Sequence, residues 1–263
     1  MTLSEINVYP IKSAKRISVQ SALVERRGIQ FDRRWMVVDS SGVFLSQRGF
    51  PRLALISTQL GSDSLHVNAP GMNSLTLSLQ PSDADPISVH VWDDAVDSIS
   101  AGHEAQKWFS TYLDMPSRLV FMPENCIRHV EPESAIHNDI VSFADGFPLL
   151  LISQHSLDDL NNRLVTPVPM NRFRPNVVVN DSSAFAEDRW KKIRIGTMLF
   201  YVVKPCSRCI TTTVDQETGI QGKEPLATLS RYRKVDGNVF FGQNLIPESV
   251  GTINVGDRVE IVE

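Results

Sequence analysis

Over the first hundred residues apolar and polar positions alternate in short runs: INVYP, ISVQSALV, RWMVVD, VFLS, LALIST, LTLSL and ISVHVW. Clusters of Gly, Pro, Asp, Asn and Ser separate them. Such alternation, so often interrupted, predicts strands in a twisted antiparallel sheet or barrel. The period changes between His103 and Leu113, where Ala105, Trp108, Phe109, Tyr112 and Leu113 recur at helical spacing, and a helix covering one end of the sheet is predicted. A polar, Pro-bearing stretch, MPENCIRHVEPESAIHND, follows and places a boundary near residue 120. Beyond it a second helix is predicted over Ser156 to Leu164, with S-L-D-D as its capping box and Leu157, Leu160 and Leu164 on one face. NVVVN, MLFYVVK, ITTTV and VEIV then return to the strand pattern. The segments IRIGTMLFYVV and INVGDRVEIV share a strand, Gly turn, strand order that reads as a recurring barrel corner.

These elements predict a β-rich α+β protein: an N-terminal β-barrel-like domain over residues 1–120, then a second β-barrel domain with peripheral helices over residues 121–263. Either part of a 263-residue chain can bury a core. A net charge of −4 without a basic stripe argues against nucleic acid as a partner. No segment reaches the roughly 18 apolar residues of a membrane span. The start, MTLSEINVYPIKS, lacks a basic stretch followed by an apolar core, so a cytoplasmic protein with no membrane partner is expected. Three cysteines are too few for a disulfide framework, which leaves thiol or metal chemistry at sulfur.

Two of those cysteines form the C-x-x-C of KPCSRCITTT, Cys206 and Cys209. A thioredoxin-type pair opens a helix, whereas the β-branched Ile210-Thr-Thr-Thr-Val214 predicts continued strand. Structural zinc needs four ligands, and the remaining Cys126 lies about eighty residues upstream without a spaced His. Two small buried residues at a strand end remain the plain alternative. Arg208 between the thiols favours thiolate and can grip an anion, so C-S-R-C suits a soft metal on one sulfur beside a phosphate-bearing ligand. Basic and amide groups recur at strand ends in Y-P-I-K-S, F-D-R-R-W and F-R-P-N, where Pro175 fixes the backbone just after Arg174. Each is also readable as a solvated loop charge; Ser153, Asn176 and Gln243 could add neutral hydrogen bonds or cap loops.

Taken in order, YPIKS, FDRRWMVVD, SFADGFPLLL, RFRPNVVV, EDRWKKIRIG, VVKPCSRCITTTVD, KEPLATL and FGQNL resemble the MOSC-domain proteins that carry an added N-terminal β-barrel domain. That family includes the mitochondrial amidoxime-reducing components and bacterial reductases of N-hydroxylated compounds. The resemblance covers nearly the whole chain and implies a molybdenum cofactor, a metal-dithiolene pterin with a phosphate, and no pyridoxal phosphate. It implies Cys209 as the molybdenum ligand and catalytic thiolate, with Cys206 a neighbour. Lys12, Ser13, Arg33, Arg174, Asn176, Ser207 and Arg208 would hold the pterin and its phosphate. At Asp145-Gly146-Phe147 the eukaryotic relatives have small hydroxyl residues after the Asp, and here backbone N–H groups would serve instead.

The activity implied is reduction of N-hydroxylated bases or amidoxime-like small molecules, with His155 as a candidate proton donor. A carrier of the cofactor, or of sulfur on Cys209, would need the same anchors. No C-x-x-x-x-C-x-x-C cluster set and no G-x-G-x-x-G are present, so a reductase would take electrons from a separate flavoprotein or ferredoxin-type donor.

Overall fold

A computed structural model describes residues 1–81 and 85–263. The architecture is the expected β-rich α+β one, and a nine-stranded sheet dominates it. Its main path runs Val259–Ile261, Lys192–Ile195, Met198–Arg208, Asn238–Pro247, Leu149–Ser153, Val177–Asn180, Thr2–Val8 and Ile17–Val19. Inward residues such as Leu3, Ile6, Leu151, Val177, Ile193, Phe200 and Leu245 are buried in one cluster, which is why these alternating segments pair as they do. Leu149–Ser153 and Val177–Asn180 run parallel, joined by a crossover that contains the helix Gln154–Asn161.

A four-stranded sheet, Trp35–Asp39, Ser117–Phe121, Asp94–Ser100 and Pro86–Val91, lies beside it. The meander Ser57–Leu60, Ser64–Asn68 and Leu75–Ser78 completes that half of the molecule. The helix His103–Leu113 has the predicted bounds, and Trp108, Phe109, Tyr112 and Leu113 close this second core. The sheets do not respect chain order, because Thr2–Val8 pairs with Val177–Asn180 and Ser21–Glu25 pairs with Gly251–Asn254. Gly28, at φ +112°, brings its backbone so close to Pro148 that a Cβ there would lie 2.4 Å from the Pro148 carbonyl oxygen. Among the described residues no helix is long and apolar enough to cross a membrane.

Several local expectations are corrected. VFLS forms only isolated bridges, Val38 with Phe44 and Val43 with His90, and LALIST begins as the 3-10 turn Pro51–Leu55, with its Pro at the first helical position. The second helix spans Gln154–Asn161, not 156–164, and no capping box forms: the Ser156 hydroxyl donates instead to buried Glu187 at 2.7 Å. ITTTV is not strand. The strand ends at Arg208 and Ile210–Thr213 turns as a 3-10 helix, where the Thr212 and Thr213 hydroxyls donate back to the carbonyls of Cys209 and Ile210. Of the two echoing segments, Lys192–Ile195 and Met198–Arg208 form a true hairpin about Gly196. Gly251–Asn254 and Val259–Ile261 instead part at Gly256 to join different sheets.

Candidate functional site

The eleven residues that the family resemblance marks for the site line one cleft: Lys12, Ser13, Arg33, Asp145, Gly146, Phe147, Arg174, Asn176, Ser207, Arg208 and Cys209. They arrive on separate segments that strand pairing brings together. Lys12 and Ser13 follow Thr2–Val8, Arg33 precedes Trp35–Asp39, and Asp145 to Phe147 precede Leu149–Ser153. Arg174 and Asn176 precede Val177–Asn180, and the last three end Met198–Arg208 or follow it. Backbone bonds lock the loops: Lys12 N–H to the Trp35 carbonyl, Arg33 N–H to Tyr9, Phe143 N–H to Arg33. Ser13, Arg33 and Arg174 all have positive φ, at 70°, 49° and 57°. Non-glycine residues rarely sit there, and such conformations collect at sites where structure serves a ligand.

The charges are arranged unevenly. Lys12 is buried and donates to the Phe143 carbonyl at 2.8 Å and to Asp145 Oδ1 at 2.6 Å, which uses two of its three N–H groups. Burial pulls the Lys12 ammonium below its ordinary value, opposed by Asp145. For Asp145 burial pushes upward, but the Lys12 charge and hydrogen bond overcome it and hold the carboxyl well below the usual range. Three quarters of the Asp145 side chain is open to solvent, so the upward push of burial is weak and the lowered direction rests on the short contact with Lys12.

Arg33 and Arg174 stack on the Tyr9 ring at 4.2 and 4.3 Å. Arg33 also donates to Asn176 Oδ1 at 3.0 Å and to the Arg174 carbonyl at 3.3 Å. Asn176, almost wholly buried, accepts from Leu150 N–H and donates to the Asn7 carbonyl, leaving a single amide N–H to offer a ligand. Burial lowers the Arg174 guanidinium to about 10, which still leaves it charged at neutral pH. Its Nη1 donates to the Ala14 carbonyl at 2.7 Å, while Nη2 is buried with no partner among the described residues. Arg208 Nε and Arg172 Nε share that condition, in the same cleft. Three buried guanidinium nitrogens without acceptors define a place for an anion.

Sulfur chemistry is equally specific. Arg208 donates to Cys206 Sγ at 2.9 Å and to the Phe173 carbonyl, so the guanidinium serves Cys206 and does not sit evenly between the thiols. The Cys209 thiol is half-buried and, among the described residues, hydrogen-bonds only the Thr211 hydroxyl, at 3.3 Å, which leaves it free to bind a metal. Among the described residues no three His, Cys, Asp or Glu side chains converge, so any metal here would take its other ligands from a cofactor. A phosphate-bearing pterin needs unsatisfied charged donors beside a soft ligand, and this cleft supplies both.

Other candidates lie elsewhere. His155 is exposed and outside the cleft, Ser153 bonds Ser182 and Glu187, and Gln243 donates to Asp188. None of the three is a site residue by position. Cys126 is packed in a separate apolar cluster, and burial raises its thiol. The structure adds residues the sequence had not singled out. Phe44, Arg48, Trp92 and Arg172 line the cleft, and Arg128 holds its wall. Buried Arg128 donates to Asp94 Oδ2 at 2.7 Å and to the carbonyls of Ser142, Ala144 and Asp145, riveting the loop before Leu149–Ser153 to the hairpin that carries Trp92. No motif surrounds it, and only the fold reveals it.

Cationic side chains and the Cys206 and Cys209 thiols thus share one cleft of a β-rich fold. Residues 1–116 match the MOSC N-terminal beta barrel domain and residues 138–260 match the MOSC domain. The chain belongs to the MOSC family and is similar along nearly its whole length to the mitochondrial amidoxime-reducing components. It is 36% identical to mouse (Mus musculus) mitochondrial amidoxime-reducing component 1, over 99% of this chain and 82% of that protein. Cattle (Bos taurus) component 2 is 37% identical over 98% and 82%, and human (Homo sapiens) component 1 is 34% identical over 99% and 83%.

Proposed function

We propose that this chain is a molybdenum-cofactor-dependent reductase of N-hydroxylated compounds, hydroxylamino bases and amidoxime-like molecules, with Cys209 as the metal ligand and the cofactor held between the two domains. The observation that carries it is the three orphaned guanidinium nitrogens sharing a cleft with the free Cys209 thiol. Arg174, Arg208 and the third N–H of Lys12 would hold the phosphate and pterin; Arg33 and Asn176 position Arg174. Ser13, Ser207 and the backbone of Asp145 to Phe147 would complete the cradle. The cofactor supplies the redox chemistry, in which two electrons and two protons convert N–OH to N–H and water. Asp145, held ionised by Lys12, carries no proton to give near neutral pH; its part is to keep the Lys12 ammonium in place. Electrons come from a separate donor protein of flavoprotein or ferredoxin type.

Molybdenum and pterin analysis of the freshly purified protein tests cofactor binding directly. Cys209→Ser should abolish reduction of an N-hydroxylated purine while Cys206→Ser keeps much of it, because an alcohol is a poor soft-metal ligand. Equal loss in both would remove the ligand assignment. NADH or NADPH alone should give no turnover, and a reduced viologen dye should restore it. Protein shown to contain molybdenum that gives no turnover with any donor would instead favour a carrier.

A further inference from the structure

One wall of the cleft, around Phe44 and Trp92, is aromatic, and Arg48 lies against it. Trp92 occupies the two-residue turn between Pro86–Val91 and Asp94–Ser100, at φ +55°, a position that Asn or Gly fills at far lower cost than a bulky aromatic. The indole is 40% exposed and lines the cleft. Phe44 meets it edge-on at 4.8 Å, and the Arg48 guanidinium lies over its ring at 4.4 Å. Arg48 is exposed, and among the described residues its guanidinium has neither a hydrogen-bond acceptor nor a carboxylate within ion-pair distance; its field does reach Asp145 and favours the ionised carboxylate. The turn is also fixed, since Asp94, two residues on, is gripped by Arg128, which holds the Asp145 loop by its other nitrogens. A strained, pinned turn that displays an indole beside an uncommitted guanidinium is a recognition surface for a planar ring bearing a negative charge.

Building on the reductase reading, we propose that Trp92, Phe44 and Arg48 form the substrate-recognition face of the cleft and select planar N-hydroxylated rings that carry an anionic group, a phosphate or a carboxylate, over neutral or aliphatic N-hydroxylated compounds. The ring packs against the exposed indole and the anion meets Arg48. Trp92, Phe44 and Arg48 come from the N-terminal part of the chain, Cys209 and Arg174 from the C-terminal part, so different segments would serve substrate choice and metal ligation.

The test is titration of the cofactor-loaded protein, followed by calorimetry and tryptophan fluorescence. The ligands are an N-hydroxylated purine, its nucleoside, its nucleoside monophosphate, a carboxylated aryl amidoxime and an aliphatic amidoxime. The anionic rings should bind about five- to tenfold tighter than the neutral ones and quench the indole, the advantage shrinking with salt. Arg48→Ala should erase the advantage of the anion. Trp92→Asn should erase that of the ring and the quenching, yet raise the melting temperature, because Asn suits the left-handed turn. Tighter binding of the monophosphate than of the carboxylate would identify phosphate as the group read. Equal affinity for aliphatic and ring compounds, or an order unchanged in Arg48→Ala, would overturn the proposal, and the second result decides even if Trp92→Asn does not fold. Turnover with reduced viologen is read alongside. Binding in the expected order without reduction of any compound would sink the reductase reading alone; reduction of all five without any order would sink the recognition face alone.

Discussion

Buried charge takes two forms in this molecule, and the contrast separates binding from architecture. In the cleft, Arg174 and Arg208 have buried nitrogens without acceptors. Under the helix Gln154–Asn161, Glu187 is more deeply buried than either; its Oε1 accepts from Ser156 and from Ser153 N–H, and its Oε2 has no partner among the described residues. Burial raises the Glu187 carboxyl, which can meet low dielectric by keeping a proton. A guanidinium has no such escape, because it does not give up its proton near neutral pH. An unpaired carboxyl oxygen is therefore weak evidence of a ligand, whereas several unpaired buried arginine nitrogens on residues that line one cleft are strong evidence of an anion.

Arg128 sharpens the point, since it is buried in the same wall but fully engaged by one carboxylate and three carbonyls. Arg128→Ala should cost about 3 kcal/mol of stability, as the abandoned carbonyls lose their donor, and urea melts would show it. Arg174→Ala should do the reverse, with little change in melting but about 2 kcal/mol less hold on the cofactor, a roughly thirtyfold loss, read as molybdenum retained after dialysis. Full retention would make Arg174 a structural residue like Arg128. The smallest effect belongs to Glu187→Gln, at about 1 kcal/mol or less. Because the folded Glu187 value is raised, the stability it contributes is present below the ordinary carboxylate pKa and is lost as pH rises through the folded one. The variant should therefore gain on the wild type as pH rises above the ordinary carboxylate range, and melting curves across that rise would show a flatter pH profile. Parallel profiles would mean that Glu187 does not titrate on folding.

Much of this was legible in the chain itself. A short β-branched apolar run marked the strand Val177–Asn180, and helical spacing marked His103–Leu113 to the residue. The anchors were visible because rigid neighbours frame them, Pro175 after Arg174 and the 206–209 pair around Arg208. Where the reading failed, distant contacts had overridden local preference. Ser156 left its capping role for Glu187, thirty-one residues away, and the β-branched threonines after Cys209 turned because their hydroxyls found carbonyls three residues back. Phe44, Arg48, Trp92, Arg128 and Arg172 carried no signal. Nothing local to any of them reports that its segment folds against a loop far along the chain.

Strand Thr2–Val8 lies between Ile17–Val19, which follows it closely, and Val177–Asn180, which is made long afterwards. Lys12 and Ser13 are fixed in the cleft only once that later strand has paired, and Ser21–Glu25 waits longer still, for Gly251–Asn254. Such distant pairings are slow to close and leave early strands exposed during synthesis. The cleft therefore exists only late in synthesis, and a cofactor arriving before Val177–Asn180 and Cys209 have emerged would find nothing to enter.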